Sequence, residues 1–574
     1  MRIAVLDRDR CQPKKCANEC HKYCPMVRTG DETIVFGEDN KPTISEELCS
    51  GCGICIKKCP FHAMEIIGLP EELKTQETHR YGVNAFALYG LPIPVEGRVT
   101  GMLGPNGTGK TTTVKILSGA LKPNLGKRGT TWDDVLEHFQ PEAQKYMRSV
   151  KDRSIRVSEK SQSIEVSSFK KSELKKELAE LLEINLRKKF EDMSGGELQR
   201  VAICACMSRD ADLYFFDEIT PFLDIYQRVK VAKLVRELAE VKKKNVVIVE
   251  HDLAILDLVA DVVHITYGKP SCYGVVTSSK TTRVGINEYL YGFLSEENIR
   301  IRPEKITFEP KAPTELSQVA HVLAKYGHFT KKYTGFALEV SDGEVREAEV
   351  LGVVGPNATG KSTFVRILAG VLEPTEGKVN LDLRISYKPQ YIKADIDASV
   401  ETLLRSVAKD FDSSYYATEI LKPLQLENML DRNVTELSGG ELQRVAIGAC
   451  LSRDAVLYIL DEPSAHLDVE QRALAIKAIR RVTKNKGAAA LVVDHDIYMV
   501  DLLSDRLLVF SGTPGKKGKA EGPFEMREGM NRFLRDLGVT FRRDDSGRPR
   551  INKLDSKKDR EQKSAGEYYY TIAE

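Results

Sequence analysis

Two stretches, GPNGTGKTT at 104–112 and GPNATGKST at 355–363, share the spacing G-x4-G-K-[ST]. In such a loop the backbone N–H groups and the start of a helix cradle phosphates. The lysine reaches the β- and γ-phosphates, and the hydroxyl after it ligates Mg²⁺. Gly104, Pro105, Asn106, Gly107, Thr108, Gly109, Lys110, Thr111 and Thr112 form one candidate cradle. Gly355, Pro356, Asn357, Ala358, Thr359, Gly360, Lys361, Ser362 and Thr363 form the other. Farther along, apolar runs end in acidic pairs: LYFFDE in Asp217–Glu218 and LYILDE in Asp461–Glu462. An aspartate at a strand end suits the water shell of Mg²⁺, and the next glutamate suits orienting and polarising an attacking water. One such pair could be a buried ion pair; two in matching register behind two phosphate loops point to ATP hydrolysis.

The second chemistry is in the thiols. Of twelve cysteines, eight fall in the first 59 residues. Cys49, Cys52, Cys55 and Cys59 form C-x2-C-x2-C-x3-C before Pro60, the bacterial ferredoxin run. Cys11, Cys16, Cys20 and Cys24 form C-x4-C-x3-C-x3-C before Pro25. Short spacings let three thiolates wrap one cubane, while the fourth reaches the other cluster. Cys11, Cys16, Cys20 and Cys59 are therefore assigned to one [4Fe–4S] cluster, and Cys49, Cys52, Cys55 and Cys24 to a second. Four-ligand zinc sites favour paired knuckles separated by longer gaps, so zinc is the weaker reading. With no flavin or substrate redox motif alongside, a structural role for the clusters is favoured over electron transfer. Cys204, Cys206, Cys272 and Cys450 read as buried small hydrophobes.

These groups must be positioned by a repeated architecture. SGGELQRVAI occurs at 194–203 and at 438–447, and from there a constant offset of 244 relates the two copies. The lysines of the phosphate loops differ by 251, so the first copy carries seven extra residues between loop and SGGE. WDDVLEHFQPEAQKYM (132–147) holds them: its apolar residues follow helical spacing, and Pro141 opens a second helix. VGINEYL (284–290) and EGMNRFL (528–534) form a weaker repeat closing each copy, read as linkers packed at the seam. The terminal KSAGEYYYTIAE is expected to be poorly ordered. The chain has 574 residues, 42% hydrophobic and 29% charged, with net charge +2. That excludes a polycation, and the absence of an apolar run of about 18 residues excludes a transmembrane helix. Residues 127–160 carry eight Lys/Arg against six Asp/Glu, and 541–563 nine against five. Such surpluses suit ordinary solvated faces or contacts to nucleic-acid phosphates.

SGGELQR resembles the ABC signature motif, here Ser194, Gly195, Gly196 and Glu197, and Ser438, Gly439, Gly440 and Glu441. In that family the motif caps the nucleotide of the opposite cassette. The resemblance thus implies two composite sites, Ser438 completing that of Lys110 and Ser194 that of Lys361. Gln390 in SYKPQY and Gln162 in SEKSQS resemble the Q-loop glutamine that senses Mg²⁺. With Thr111, Asp217, Ser362 and Asp461 they make up the expected Mg²⁺ set. His251 and His495 resemble the switch histidine on the γ-phosphate, completing a catalytic set with Glu218 and Glu462. Asp224 and Asp468 resemble D-loop aspartates. Two departures mark unequal sites: Ile219-Thr220 where the family has Pro-Ser, which puts the D-loop geometry in doubt, and Ala358 where glycine is usual, strained if the backbone there needs φ > 0. Tyr81 or Phe86 is the candidate adenine-stacking residue of the first copy; Phe329, Tyr333 and Phe336 stay open for the second.

The cysteine-rich head, twin cassettes, helical insertion and paired linkers together resemble the RNase L inhibitor family, ABC class E, over essentially the whole chain. The implied fold is multidomain α/β, with two ABC-type P-loop nucleotide-binding domains behind an N-terminal α+β ferredoxin-like iron–sulfur domain. Expected boundaries are 1–72 for the head, 73–283 for cassette 1 with its insertion at about 130–150, 284–312 for a first hinge, 313–512 for cassette 2 and 513–574 for a second hinge. The resemblance implies a cytoplasmic, Mg²⁺-dependent ATP hydrolase that splits ribosomes after termination or rescue, as cassette closure swings the head. Implied cofactors are ATP, Mg²⁺ and two [4Fe–4S] clusters. Implied partners are the ribosome, above all its small subunit, a release factor or its rescue paralogue, and initiation factors. The chain is expected to act as a monomer, off the membrane. An importer ATPase lacks such a head, a DNA-repair ATPase needs a long coiled coil that under 90 residues cannot supply, and an ATP-driven redox enzyme needs an acceptor site.

Overall fold

The computed structural model describes the chain apart from residues 1, 7–10, 38, 46–47, 62, 69–75, 83–84, 163, 165–168, 271, 304, 307–320, 380, 393–395, 544–547 and 571–574. In the head, strands Arg2–Leu6 and Met64–Gly68 pair antiparallel, as do Ile34–Phe36 and Pro42–Ile44. Short helices Glu19–Lys22, Pro25–Arg28 and Ile54–Lys58 carry or adjoin the cysteines. Buried Cys20, Cys24 and Cys55 join Ile34, Ile44 and Met64 in one small core, so the thiols themselves hold the head together.

Each cassette is built on one sheet. In the first, Val99–Leu103 lies between Val262–Lys269 and Asn245–Val249; Leu213–Asp217 and Val157–Lys160 follow outward, all parallel. In the second, Val350–Val354 lies between Arg506–Thr513 and Ala489–Val493, with Leu457–Asp461 and Ile385–Lys388 beyond. The central strands are buried along their whole length, which is why they read as continuous Val/Ile/Leu runs and not as alternation. Their carboxyl ends line up on one edge, where an open α/β sheet places its ligands. Phosphate loop, acidic pair and histidine therefore converge although they lie far apart in sequence.

The insertion forms two helices, Trp132–His138 and Pro141–Lys151. The first is opened by a Thr131–Asp134 capping box and the second by Pro141 at its first turn. Buried Val135 and Met147 pack with Leu88 and Ile116 of cassette 1. The paired linkers are helices Thr282–Tyr291 and Met526–Leu537, each ending at a left-handed glycine and each followed by a short hairpin.

The basic C-terminal segment differs from a solvated face. Arg548 and Arg550 reach the buried Asp257 of cassette 1, while Arg543 and Tyr569 reach Asp501 at the matching position of cassette 2. The expected disorder of the last dozen residues is corrected in part. Helix Lys557–Ala565 and strand Tyr569–Tyr570 are formed, and Tyr569 is 4% exposed; residues 571–574 lie outside the described residues. Cys204, Cys206 and Cys450 are buried as expected, whereas Cys272 is only half-buried.

Candidate active site and metal centres

The phosphate loop of cassette 1 needs its glycines. Gly107 and Gly109 have φ of +77° and +93°, and a Cβ on Gly104 would fall 2.1 Å from Thr266 Oγ1. Ala358, at the counterpart of Gly107, takes φ +58°, a left-handed conformation that costs an L-residue roughly 1–2 kcal/mol. The departure noted in the sequence is therefore strained, yet the loop keeps its shape. Lys361 Nζ donates to the carbonyls of Gly355 at 2.8 Å and Pro356 at 2.7 Å, as Lys110 does to Gly104 at 2.7 Å and Pro105 at 3.1 Å. Burial pushes both ammonium groups down to about 8.

The remaining predicted groups assemble around these lysines. Asn106 Oδ1 stands 3.3 Å from Lys110 Nζ and 3.0 Å from His251 Nε2, so a neutral amide oxygen occupies a place suited to a phosphate oxygen. Burial, then the charges of Lys110 and Arg472, hold the His251 imidazole well below its usual range. Gln162 donates to Glu218 Oε1 at 2.9 Å, and Gln390 to Glu462 Oε1 at 2.7 Å, which places both glutamines in the same register. His251 Nε2 and His495 Nε2 lie 3.7 and 3.5 Å from those same carboxylates.

The two glutamates are electrostatically unequal. Burial and neighbouring Asp217 push the Glu218 carboxyl up, whereas His495, against the upward push of burial, holds Glu462 down to about 2. Asp461 is 1% exposed; burial and Glu462 push its carboxyl up to about 6, while the neighbouring Ser362 hydroxyl and the charges of Lys388 and Lys361 pull the other way. A buried carboxylate set beside a serine hydroxyl offers oxygen ligands of the kind a hard divalent cation takes, so the residues fit Mg²⁺.

The signature serines sit at helix starts. Ser194 and Ser438 each open a 14-residue helix through a capping box with Glu197 and Glu441. Gly196 and Gly440 permit close packing of the D-loop, since a Cβ would meet Phe222 O at 2.7 Å or His466 O at 2.8 Å. Ile219-Thr220 does not disturb that loop. Thr220 Oγ1 bonds buried Glu250 at 2.8 Å as Ser464 Oγ bonds Asp494 at 2.7 Å, and Phe222 and His466 share φ +62°.

The cassettes face each other head to tail. Asp224 of cassette 1 accepts from the Asn357 N–H in the phosphate loop of cassette 2 at 2.6 Å, and the charge of Asp468 bears on Lys110 in turn. Arg228 pairs with Asp252 at 2.7 Å and reaches the His495 carbonyl at 3.4 Å; Arg472 pairs with Asp496 at 2.7 Å and reaches the His251 carbonyl at 3.5 Å. For the adenine, Tyr81 and Tyr333 are exposed hairpin residues, while Phe86 and Phe336 lie against Gly109 and Gly360. Phe329 is fully buried, stacked on Phe364, and belongs to the core.

Sequence reasoning missed Lys160, Lys388, Gln199 and Gln443, all of which bond the backbone of the acidic pairs. The available signal was their repetition: each lysine stands two residues before a Q-loop glutamine, each glutamine three residues after the second signature glycine.

In the head, two chambers separate the thiols as the spacing predicts. One is lined by Cys11, Cys16, Cys20 and Cys59, the other by Cys24, Cys49, Cys52 and Cys55. Burial and the neighbouring thiols raise Cys20 to about 12 and Cys55 to about 11, so four thiolates per chamber need a polycationic centre. Cys24→Ser is expected to abolish the cluster at Cys49, Cys52 and Cys55 and spare the other. Iron content halved with one cluster signal retained, by visible and electron paramagnetic resonance spectra, checks it.

Fold and site together define a twin-cassette ABC ATPase with an iron–sulfur head. Residues 95–221 and 338–465 match the family described as ABC transporter, 1–32 a possible Fer4-like domain in RNase L inhibitor, and 42–65 a 4Fe-4S binding domain. An uncharacterised ABC transporter ATP-binding protein of Methanocaldococcus jannaschii is 51% identical over 99% of this chain and 98% of its own. Translation initiation factor RLI1 of Saccharomyces cerevisiae is 42% identical over 99% and 98%. A solved assembly of ribosome-bound archaeal Pelota and ABCE1 superposes with a TM-score of 0.93 at 51% identity, covering 99% of each chain. The chain belongs to the RNase L inhibitor family, ABC class E. It is an ATP hydrolase that uses Mg²⁺ and two [4Fe–4S] clusters.

Proposed function

We propose that this protein splits ribosomes into subunits after termination or rescue, by closing its two cassettes on ATP and moving the iron–sulfur head. The observation that carries this reading is the joining of the head to paired cassettes already engaged head to tail through Asp224 and Asn357. ATP between them supplies the closing force. Lys110 and Lys361 hold the β- and γ-phosphates. Thr111, Gln162 and Asp217, and Ser362, Gln390 and Asp461, hold Mg²⁺, which screens phosphate charge when bound. Ser438 and Ser194 cap the nucleotide of the opposite cassette. His251 and His495 donate to the γ-phosphate, and Glu218 and Glu462 orient the attacking water and take its proton. Tyr81 and Phe86 offer the adenine a stacking face. The eight cysteines hold the clusters as assigned, rigidifying the part that strikes the ribosome.

The head meets cassette 1 through an exposed ion pair. Lys269–Glu65 joins it to cassette 1 at 2.6 Å, but with 42% and 36% of the side chains exposed such a pair is worth at most about 1 kcal/mol. A swing can break it cheaply. Ribosome contacts fall to the insertion helices and hinges, the small subunit being the principal partner. A release factor, its rescue paralogue of the Pelota kind, and initiation factors are further partners. No described helix is long and apolar enough to cross a membrane.

Sedimentation tests this. Ribosomes mixed with release factor, this protein and ATP or a non-hydrolysable analogue are expected to shift into subunit peaks. Intact peaks under every condition would refute the proposal.

A further inference from the structure

Both hydrolytic glutamates stand in a backbone conformation that L-residues avoid, with φ of +53° at Glu218 and +48° at Glu462. Such a residue persists only where its surroundings over-determine it. On one side, the Glu218 N–H donates to the Val249 carbonyl of the neighbouring strand at 2.9 Å. On the other, the Glu218 carbonyl accepts from two side chains, Lys160 Nζ at 2.6 Å and Gln199 Nε2 at 2.9 Å. Lys160 Nζ also donates to the Asp217 carbonyl at 2.8 Å. Cassette 2 repeats every element. Glu462 N–H meets Val493 O at 2.8 Å, Lys388 Nζ meets Asp461 O at 2.8 Å and Glu462 O at 3.2 Å, and Gln443 Nε2 meets Glu462 O at 2.7 Å.

Lys160 and Lys388 are 3% and 2% exposed. Burying an ammonium costs several kcal/mol before compensation, so a lysine whose work is merely to fill the core is the wrong residue here. One buried lysine on backbone carbonyls could be incidental. The same two donors on the same carbonyl of the same strained residue, in both copies, single out the glutamate as the thing held.

The donors come from elements that carry the nucleotide-site motifs. Lys160 ends the strand Val157–Lys160, and two residues on, Gln162 bonds the Glu218 carboxylate, so one segment fixes the main chain and the side chain of the same residue. Gln199 lies on the helix Gly195–Ser208, whose N-cap is the signature serine Ser194. The glutamate is thereby tied to its own Q-loop and to the helix that caps the other ATP.

We propose that Lys160 with Gln199, and Lys388 with Gln443, are positioning residues that lock Glu218 and Glu462 in their left-handed backbone and so aim each carboxylate at the attacking water. They act through the glutamates and not on ATP, and the proposal rests on the assignment of these glutamates as the hydrolytic pair.

The test uses the full-length, cluster-loaded protein and steady-state ATP hydrolysis. K160M/K388M keeps the stem and removes the donor. Its kcat is expected to fall at least about tenfold, with KM and ATP affinity within about threefold of wild type, the pattern of a group used in the hydrolytic step alone. Full kcat in the folded variant, or a parallel loss of kcat and ATP affinity, overturns the proposal. If K160M/K388M does not fold, Q199L/Q443L removes the second donor to the same carbonyls. There kcat is expected to drop at least about threefold at unchanged KM, and an unchanged kcat overturns the proposal. E218Q/E462Q run alongside separates the two failures. Wild-type hydrolysis in that variant sinks the glutamate assignment itself; an inactive glutamate variant beside fully active lysine variants sinks only the positioning role.

Discussion

E218Q/E462Q is expected to bind two ATP molecules, remain closed and hydrolyse them at least about 100-fold more slowly than wild type, the scale of a lost general base. The substitution removes charge and basicity but little volume. The amide oxygen can still accept from Gln162 or Gln390, which stand 2.9 and 2.7 Å from the carboxylates, so the Q-loop register survives. Lys110 and Lys361, the residues assigned to the phosphates, are untouched. Retained nucleotide after gel filtration, with phosphate release measured in parallel, checks both halves; full ATPase activity excludes these glutamates as the base. The single variants are expected to differ. A carboxyl raised above its ordinary value is protonated at higher pH, and Glu218 is raised where Glu462 is held low. As pH falls, the site left active in E462Q should therefore lose its base before the site left active in E218Q.

The parts of this protein that were legible in its sequence are those in which local spacing dictates geometry. G-x4-G-K-[ST] forces the phosphate loop because its two glycines are needed, Gly104 for the close packing against Thr266 and Gly109 for a φ of +93°. The cysteine spacing sorted the thiols into the two chambers because a short loop cannot carry its fourth ligand back to its own cluster. The insertion was visible because helical periodicity and Pro141 are local signals. What stayed hidden depends on contacts between distant segments. Nothing local marks Lys160 as buried, since a lysine at a strand end normally points to water. Arg543, Arg548 and Arg550 read as surface charge until the fold sets them on Asp501 and Asp257. The suspicion that Ile219 disturbs the D-loop failed for the same reason: Thr220 and Glu250 rebuild the contact that Ser464 and Asp494 make. Ala358 is the reverse case, where a rule about φ foretold a strain that the loop then carries.

Those hinge arginines set the largest stability effect expected of a single substitution. Asp257 is 2% exposed and accepts Arg550 at 2.6 and 2.9 Å and Arg548 at 3.3 Å. Arg548, itself 2% exposed, also donates to Asn287 Oδ1 of the first hinge at 2.5 Å. One carboxylate thus binds two guanidiniums at the point where cassette 1, the helix Thr282–Tyr291 and the C-terminal hairpin meet. Asp257→Ala removes one partner of a buried ion-pair network, a change that costs about 3–5 kcal/mol in a buried setting. The exposed pair Lys553–Asp261 beside it, with side chains 43% and 24% exposed, gives the contrast: Lys553→Ala should cost at most about 1 kcal/mol. Asp501 ties the same hairpin to cassette 2 through Arg543 and Tyr569, so Asp257→Ala should free the hairpin from one cassette only. Thermal melting of Asp257→Ala is expected to split, cassette 1 unfolding first, and limited proteolysis should cut near the hairpin. A single wild-type transition in Asp257→Ala would show that the seam is held by the apolar cluster running from Ile286 to Phe533 and Tyr569, with the buried charges contributing nothing. The outcome bears on motion as well as stability. A hairpin bonded to matching aspartates on both cassettes joins them at one seam, and on the proposed mechanism a seam that slips would weaken the transmission of cassette closure to the head.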